Sequence, residues 1–188
     1  MADTATPRKR LTVREFLEWE EKQPRKYELH GGLIRFMAGG TKGRNTIKGN
    51  IFSALRARLR GKPCQVFDSD LKVRTEGGGV YYPDVTIDCG DRDAAATEAS
   101  LPTIVFEVLS KSTRSDDLEG KLPSYQATPS IRQIVYVEAN LMHLMVWRRI
   151  ESGWEEIEIV HPDQSLVLDS VGVELSFAEI YEDVDFAS

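Results

Sequence analysis

Glu107 stands inside the run Ile104-Val105-Phe106-Glu107-Val108-Leu109. An ionised carboxylate is costly in such apolar surroundings and calls for a compensating cation, metal or proton. Asp84 occupies an equivalent setting in Tyr82-Pro83-Asp84-Val85-Thr86-Ile87. Two acids on adjacent strands can converge on one divalent cation. Mg²⁺ suits such a pair, because one or two carboxylates hold it while water and substrate phosphate complete its shell. The competing reading has Asp84 ending a turn after Pro83 and Glu107 paired with a nearby lysine or arginine. Spacing alone does not separate the two.

Other chemistries find less support. Gly39-Gly40-Thr41-Lys42-Gly43 lacks the Gly-Lys-Ser/Thr ending of a phosphate-binding loop and reads as a mobile loop. Ser110, Ser112 and Thr113 have no histidine at triad spacing. His30, His143 and His161 are scattered, with no spacing that suggests metal ligation. A glycosidase-like use of the two carboxylates lacks aromatic sugar platforms near the acids. Trp147 and Trp154 fall in an expected hairpin and read as core.

The elements that must carry the two acids can be read from hydrophobic period and caps. Thr12-Val13-Arg14-Glu15 has capping-box spacing, so a helix is expected there, carrying Phe16, Leu17 and Trp19 inward and ending at Pro24. Lys26 to Ala38 reads as two strands joined at Gly31-Gly32. Ile47, Ile51, Leu55 and Leu59 mark one helix face. Three strand runs follow: Cys64 to Arg74, Val80 to Cys89, and Thr103 to Leu109, the last buried on both faces. Ser115 is expected to cap a helix to about Ala127, kinked by Pro123 or starting near Lys121. A hairpin over Ile131–Val137 and Leu141–Trp147 comes next, then strands at Trp154–Val160 and Ser165–Leu168. A capping box at Ser176–Glu179 opens a terminal helix. The expectation is an N-terminal arm, residues 1–10, without order, and one mixed α/β (α+β) domain over 11–188.

The chain has 188 residues and a formal charge of -6, unevenly spread. Lys42, Arg44, Lys48, Arg56, Arg58, Arg60 and Lys62 fall in a stretch with no acid, whereas no lysine or arginine follows Arg149. The overall acidity argues against nonspecific binding to a phosphate backbone, yet a local basic face can still meet a polyanion. Cys64 and Cys89 sit in strand-like runs where buried free thiols are common; nothing in their number suggests a disulfide framework, and a bond between them stays open. With neither a secretory signal nor a membrane-length apolar run, a cytoplasmic location and no membrane partner are expected.

Pro83-Asp84, followed after a Gly/Asp-rich loop by Glu107-Val108-Leu109, resembles the signature of PD-(D/E)XK nucleases. More closely, the chain is similar to the Uma family of restriction endonuclease-like proteins. The matching stretches are Tyr27-Glu28-Leu29, Pro83-Asp84-Val85, Glu107-Val108-Leu109-Ser110 with Ser112-Thr113, and Lys121-Leu122 with Tyr125. The tail Val171-Gly172-Val173-Glu174-Leu175 leading to Ile180-Tyr181 matches as well, so the resemblance runs from Leu11 to Val184.

This resemblance implies a mixed central sheet flanked by helices, with additional antiparallel strands. It also implies an endonuclease hydrolysing phosphodiester bonds in DNA, with Mg²⁺ as cofactor and Mn²⁺ as substitute. Asp84, Glu107 and the carbonyl of Val108 would hold the ion, and Glu28 would be an outer ligand or orient the attacking water. The superfamily pattern wants a lysine two residues after the second acid, where this chain has Leu109. Lys121, one helical turn after Asp117, is the candidate replacement; Lys111, where relatives usually have proline, is the rival. Relatives often carry histidine where this chain has Arg44, and arginine is no base near neutral pH. Arg44 and Lys48 are therefore expected to face substrate backbone. A homodimer is also implied, for which the apolar 131–147 hairpin is a candidate interface. The alternative is a catalytically degenerate nuclease fold that binds nucleic acid or protein.

Overall fold

In the computed structural model, which describes residues 10–37, 39–110 and 114–186, Thr12 caps the first helix, α1 (Val13–Glu20). Its hydroxyl accepts from the Glu15 N–H while the Glu15 carboxylate accepts from the Thr12 N–H, the reciprocal box that was expected. Phe16 is fully buried; Leu17 and Trp19 are half-buried. The hairpin β1 (Tyr27–His30) and β2 (Leu33–Phe36) follows. It turns on Gly31 and Gly32, both at positive φ (53° and 87°), as a primed two-residue turn requires.

The next helix, α2 (Lys42–Arg58), begins before its apolar face does. Thr41 accepts from the Arg44 N–H, so Lys42 and Gly43 form a first helical turn and not the mobile loop expected of them. Ile47, Ile51 and Leu55 are fully buried along one side, each worth about 1.5–3 kcal/mol.

Two of the expected strands are each split. β3 (Gln65–Asp68) and β4 (Val73–Arg74) replace the first run, and β5 (Val80–Tyr81) and β6 (Val85–Asp88) the second. The second break falls at Pro83, which has no N–H to give to a ladder. The first falls where the Asp68 carboxylate accepts from the Asp70 N–H, a turn-forming bond. The halves then part company: β4 and β5 join an antiparallel sheet ordered β2-β1-β5-β4.

β3 and β6 belong to the central sheet with β7 (Pro102–Leu109), β8 (Gln133–Glu138), β9 (Leu144–Ile150) and β10 (Gly153–Ile159). Its order is β10-β9-β8-β7-β6-β3, with β7 and β8 parallel and the other pairs antiparallel. This is the mixed α+β architecture expected. The β7-to-β8 crossover carries α3 (Leu122–Ala127). β11 (Ser165–Leu168) pairs with β12 (Val173–Ser176), a strand not anticipated, and the Ser176–Glu179 box opens α4 (Phe177–Ile180). Along β7 the side chains alternate: Ile104, Phe106 and Val108 join the core under α2, whereas Val105 and Leu109 join the one containing Tyr125 and Tyr81.

Cys64 and Cys89 are not free thiols but a disulfide; the register Gln65↔Asp88 carries them face to face one step further along. The 131–147 hairpin, the candidate interface, turns most of its apolar side chains into the core, while Leu141 at its turn is 51% exposed. Ile134, Val135, Tyr136, Val137 and Leu144 are fully buried, and Trp147 is 8% exposed. Residues 1–9 of the expected arm, and Lys111, Ser112 and Thr113, lie outside the described residues. Among the described residues no helix is long and apolar enough to cross a membrane.

Candidate active site

β6 starts at Val85, paired with Phe106 of β7. One further step in that register sets Asp84 across from Glu107. Pro83 has ended the strand there, and the Asp84 carboxylate takes over the ladder: its Oδ2 accepts the Val108 N–H at 2.8 Å. The same oxygen accepts from Arg44 Nη2 at 2.8 Å. Arg44 comes from the first turn of α2, so the Thr41 cap that starts this helix early also aims its guanidinium. The Arg44 pKa is raised: burial pulls it down, but Asp84, with Glu107 and Asp117, more than offsets that. Its Nε is buried without a partner among the described residues.

Glu107, only 1% exposed, points to the α3 side of the sheet. Its Oε1 accepts from Lys121 Nζ at 3.0 Å and from the Tyr125 hydroxyl at 2.7 Å. Lys121 is delivered by a departure from α-helix. Residues 116–121 form a π-helical turn, closed by a bond from the Leu122 N–H to the Asp117 carbonyl, and Pro123 sits within the first two positions of α3. The helical backbone runs unbroken through this point, and the wider π turn lets it pass Pro123, whose ring crowds the carbonyl four residues back in a regular α-helix and which has no N–H to give. Ser115 accordingly makes no side-chain cap. The wide turn brings Lys121 Nζ within reach of Glu28 Oε1 (3.1 Å) and Asp117 Oδ1 (3.1 Å) as well as Glu107.

Glu28, on β1, is fixed from three sides. Oε1 accepts the Tyr82 N–H at 2.9 Å as well as Lys121, and Oε2 is bonded to His30 Nε2 at 2.8 Å. His30 in turn packs edge-on against Tyr81, with ring centroids 4.9 Å apart. Tyr136 donates its hydroxyl to the Asp117 carbonyl at 2.7 Å, which anchors the π turn to β8.

Four buried carboxylates, Glu28, Asp84, Glu107 and Asp117, thus face two buried or half-buried cations, Lys121 and Arg44. With the four acids ionised and His30 neutral, the cluster carries two uncompensated negative charges. Their effect is seen at Glu107, whose pKa is pushed up to about 8 by burial, with Asp117, Asp84 and Glu28 adding to it and Lys121 opposing. Burial also raises Glu28, but Lys121, His30 and the Tyr82 N–H bring it down to about 2. Lys121 stays charged, because Glu107, Glu28 and Asp117 together overcome its burial. Asp117 Oδ2 is buried without a hydrogen-bond partner among the described residues.

The expected site residues thus come together in part. Glu28, Glu107 and Lys121 share direct contacts, and Asp84 is held by Arg44 and Val108. Lys48 reaches Ser69 Oγ at 3.4 Å and touches none of the four acids. Leu109 faces the same side as Glu107 but is packed with Tyr125 and Ile131, and the ammonium beside Glu107 belongs to Lys121. Among the described residues no three His, Cys, Asp or Glu side chains form a group able to hold one ion. An ion here would therefore rest on two carboxylates. Sequence reasoning passed over His30 and the part played by Tyr125. The four-residue spacing of Asp117, Lys121 and Tyr125 was the available signal for the latter; for His30 it was the two-residue spacing from Glu28 on one strand.

The family model described as "Putative restriction endonuclease", Uma2, matches residues 13–178. Among curated proteins, the uncharacterized protein slr1290 of Synechocystis sp. is 30% identical over 184 residues, covering 97% of each chain. A second from the same organism, sll1609, is 26% identical over 132 residues, covering 68% of this chain and 75% of its own. Among solved structures, the crystal structure of a putative nuclease belonging to DUF820 from Anabaena variabilis superposes with a TM-score of 0.71 at 15% identity. It covers 91% of this chain and 97% of that one.

Proposed function

Since the chain belongs to the Uma2 family, we propose that it is a Mg²⁺-dependent endonuclease acting on DNA phosphodiester bonds, with Asp84 and Glu107 as the metal-binding carboxylates. The observation that carries this reading is the charge imbalance: four buried acids against two cations, a deficit that one divalent ion matches. The donor set fits hard cations. Among the described residues both bonds to Asp84 fall on Oδ2 and both bonds to Glu107 on Oε1, so an ion meeting Oδ1 and Oε2 displaces none of them. The Leu109 carbonyl is turned toward β8, where it accepts the Ala139 N–H. Strand alternation therefore turns the Val108 carbonyl to the β6 edge, beside Asp84. When bound, Mg²⁺ or its substitute Mn²⁺ supplies polarisation of the scissile phosphate and a more acidic water.

The chain's own groups do the rest. Lys121, kept protonated by three acids, offsets charge that develops on the phosphate. Glu28, near pKa 2, is a poor base at neutral pH and acts by orienting Lys121 and the attacking water. Arg44 stays cationic, fixes Asp84 and faces the phosphate, with Lys48 one turn further along α2. The test is nicking of supercoiled plasmid in Mg²⁺ by wild type, Asp84→Ala and Glu107→Ala. Equal cleavage by all three rejects the reading.

A second reading is a degenerate fold that binds nucleic acid or protein without cutting. It draws on the ion pairs that already engage Asp84 and Glu107. Calorimetry with Mn²⁺ separates the two, because an inert scaffold shows no saturable binding that depends on Asp84.

A further inference from the structure

Arg56, Arg60, Lys62 and Arg92 converge on a recess of about 220 Å³ at the opposite end of α2 from Arg44. This is smaller than the roughly 300–1,000 Å³ usual for small-molecule sites, and no acid lines it. All four cations are exposed, and among the described residues none forms an ion pair with an acid, whereas the intervening Arg58 is taken by Glu179. Asp91 and Asp93, the sequence neighbours of Arg92, line the adjoining cleft, which shares Arg92 and Gln65 with the recess, and they do not line the recess itself. Arg92 reaches in from a separate segment and is held there: its Nη2 donates to the carbonyls of Lys62 (2.6 Å) and Pro63 (3.4 Å). Beneath it the Cys64–Cys89 disulfide ties the segment after Lys62 to the strand leading to Arg92, so both sources of positive charge share one frame. On a chain of net charge -6, unopposed cations gathered at one recess favour an anionic occupant.

We infer that this recess is a clamp for the backbone phosphates of duplex DNA, gripping the substrate away from the point of cleavage; the inference rests on the nuclease reading above. Arg44 and Arg56 lie in one helix, so at 1.5 Å per residue they are about 18 Å apart. At 3.4 Å per base pair that is about five base pairs of a rigid duplex running beside α2. The recess has no aromatic side chain, and single-stranded nucleic acid relies on stacking platforms that are missing here. Contacts of this kind go to phosphate alone, so they position the duplex without reading its sequence.

The test measures binding of a labelled 30-base-pair duplex by fluorescence anisotropy in EDTA, with the full chain and salt varied from 50 to 200 mM. The variant is Arg56→Gln/Arg60→Gln/Lys62→Gln, whose exposed positions leave the core intact. Losing three phosphate contacts lowers the slope of log affinity against log salt by about 2.7, so the same salt increase costs the wild type roughly 40-fold more affinity than it costs the variant. An unchanged salt slope on the long duplex overturns the clamp, and so does a single strand of the same length that binds as tightly and weakens equally. Because EDTA removes catalysis from the readout, loss of duplex binding in the variant supports the clamp even where plasmid nicking fails. Nicking that persists alongside an unchanged slope rejects the clamp and spares the nuclease reading.

Discussion

Replacing Glu107 with glutamine should stabilise the metal-free protein, and by more as the pH rises. Burial and the neighbouring acids lift the Glu107 carboxyl from 4.5 to about 8 in the folded state. A group raised on folding contributes stability that is complete below its unfolded pKa and is lost as pH climbs through its folded value. Each unit is worth about 1.4 kcal/mol, so the wild type loses on the order of 3–5 kcal/mol between pH 5 and pH 8 through this one residue. Glutamine keeps the shape and an oxygen able to accept from Lys121 (3.0 Å) and Tyr125 (2.7 Å), but has no proton to lose. Glu28 titrates near 2, below this window, so it does not obscure the result. Urea unfolding of both proteins in EDTA at pH 5 and pH 8 measures the difference. The variant should gain several kcal/mol over wild type on going to pH 8. If the gap is the same at both pH values, Glu107 is an ordinary ionised partner of Lys121 and the argument from excess negative charge fails.

Other consequences are simpler. Tyr125→Phe removes a buried hydroxyl bonded to Glu107 and should cost about 1–3 kcal/mol in chemical denaturation. Leu55→Ala opens a cavity under α2 and should cost about 2–5 kcal/mol in the same assay. The Cys64–Cys89 bond closes a loop of sequence separation 25. Cys64→Ser/Cys89→Ser should therefore lower stability by about 2–4 kcal/mol, whereas a reducing agent should leave the doubly substituted chain unaffected.

The acids were legible because a carboxylate in a β-branched apolar run is a conflict visible at the level of single residues. Glu107 inside β7 and Asp84 after Pro83 both show it. The helix caps at Thr12 and Ser176 were legible for a similar reason: capping chemistry is local. Lys121 was implied by the family resemblance, as a replacement for the motif lysine where this chain has Leu109, but the π turn that delivers it depends on how Pro123 settles against the preceding carbonyls. What escaped the sequence was decided by register. Cys64 meets Cys89 only because β3 pairs with β6. His30, by contrast, lies two residues after Glu28 on β1, where strand alternation puts both on one face, and that signal was passed over. The split at Pro83 had a visible cause that a continuous apolar pattern masked. The apolar 131–147 stretch was offered as an interface because hydrophobicity does not say what will cover it; here the two cores take its side chains, Val135, Val137 and Leu144 on one face and Ile134, Tyr136 and Trp147 on the other.

Anomalous diffraction from crystals soaked in Mn²⁺ tests the central claim most directly. The account predicts a single peak between Asp84 and Glu107, at oxygen distances like the roughly 2.1 Å of Mg²⁺ sites, absent from Glu107→Gln crystals treated alike. Crystals that hold Mn²⁺ elsewhere but show no peak there, with Asp84 still on Arg44 and Glu107 still on Lys121, contradict it.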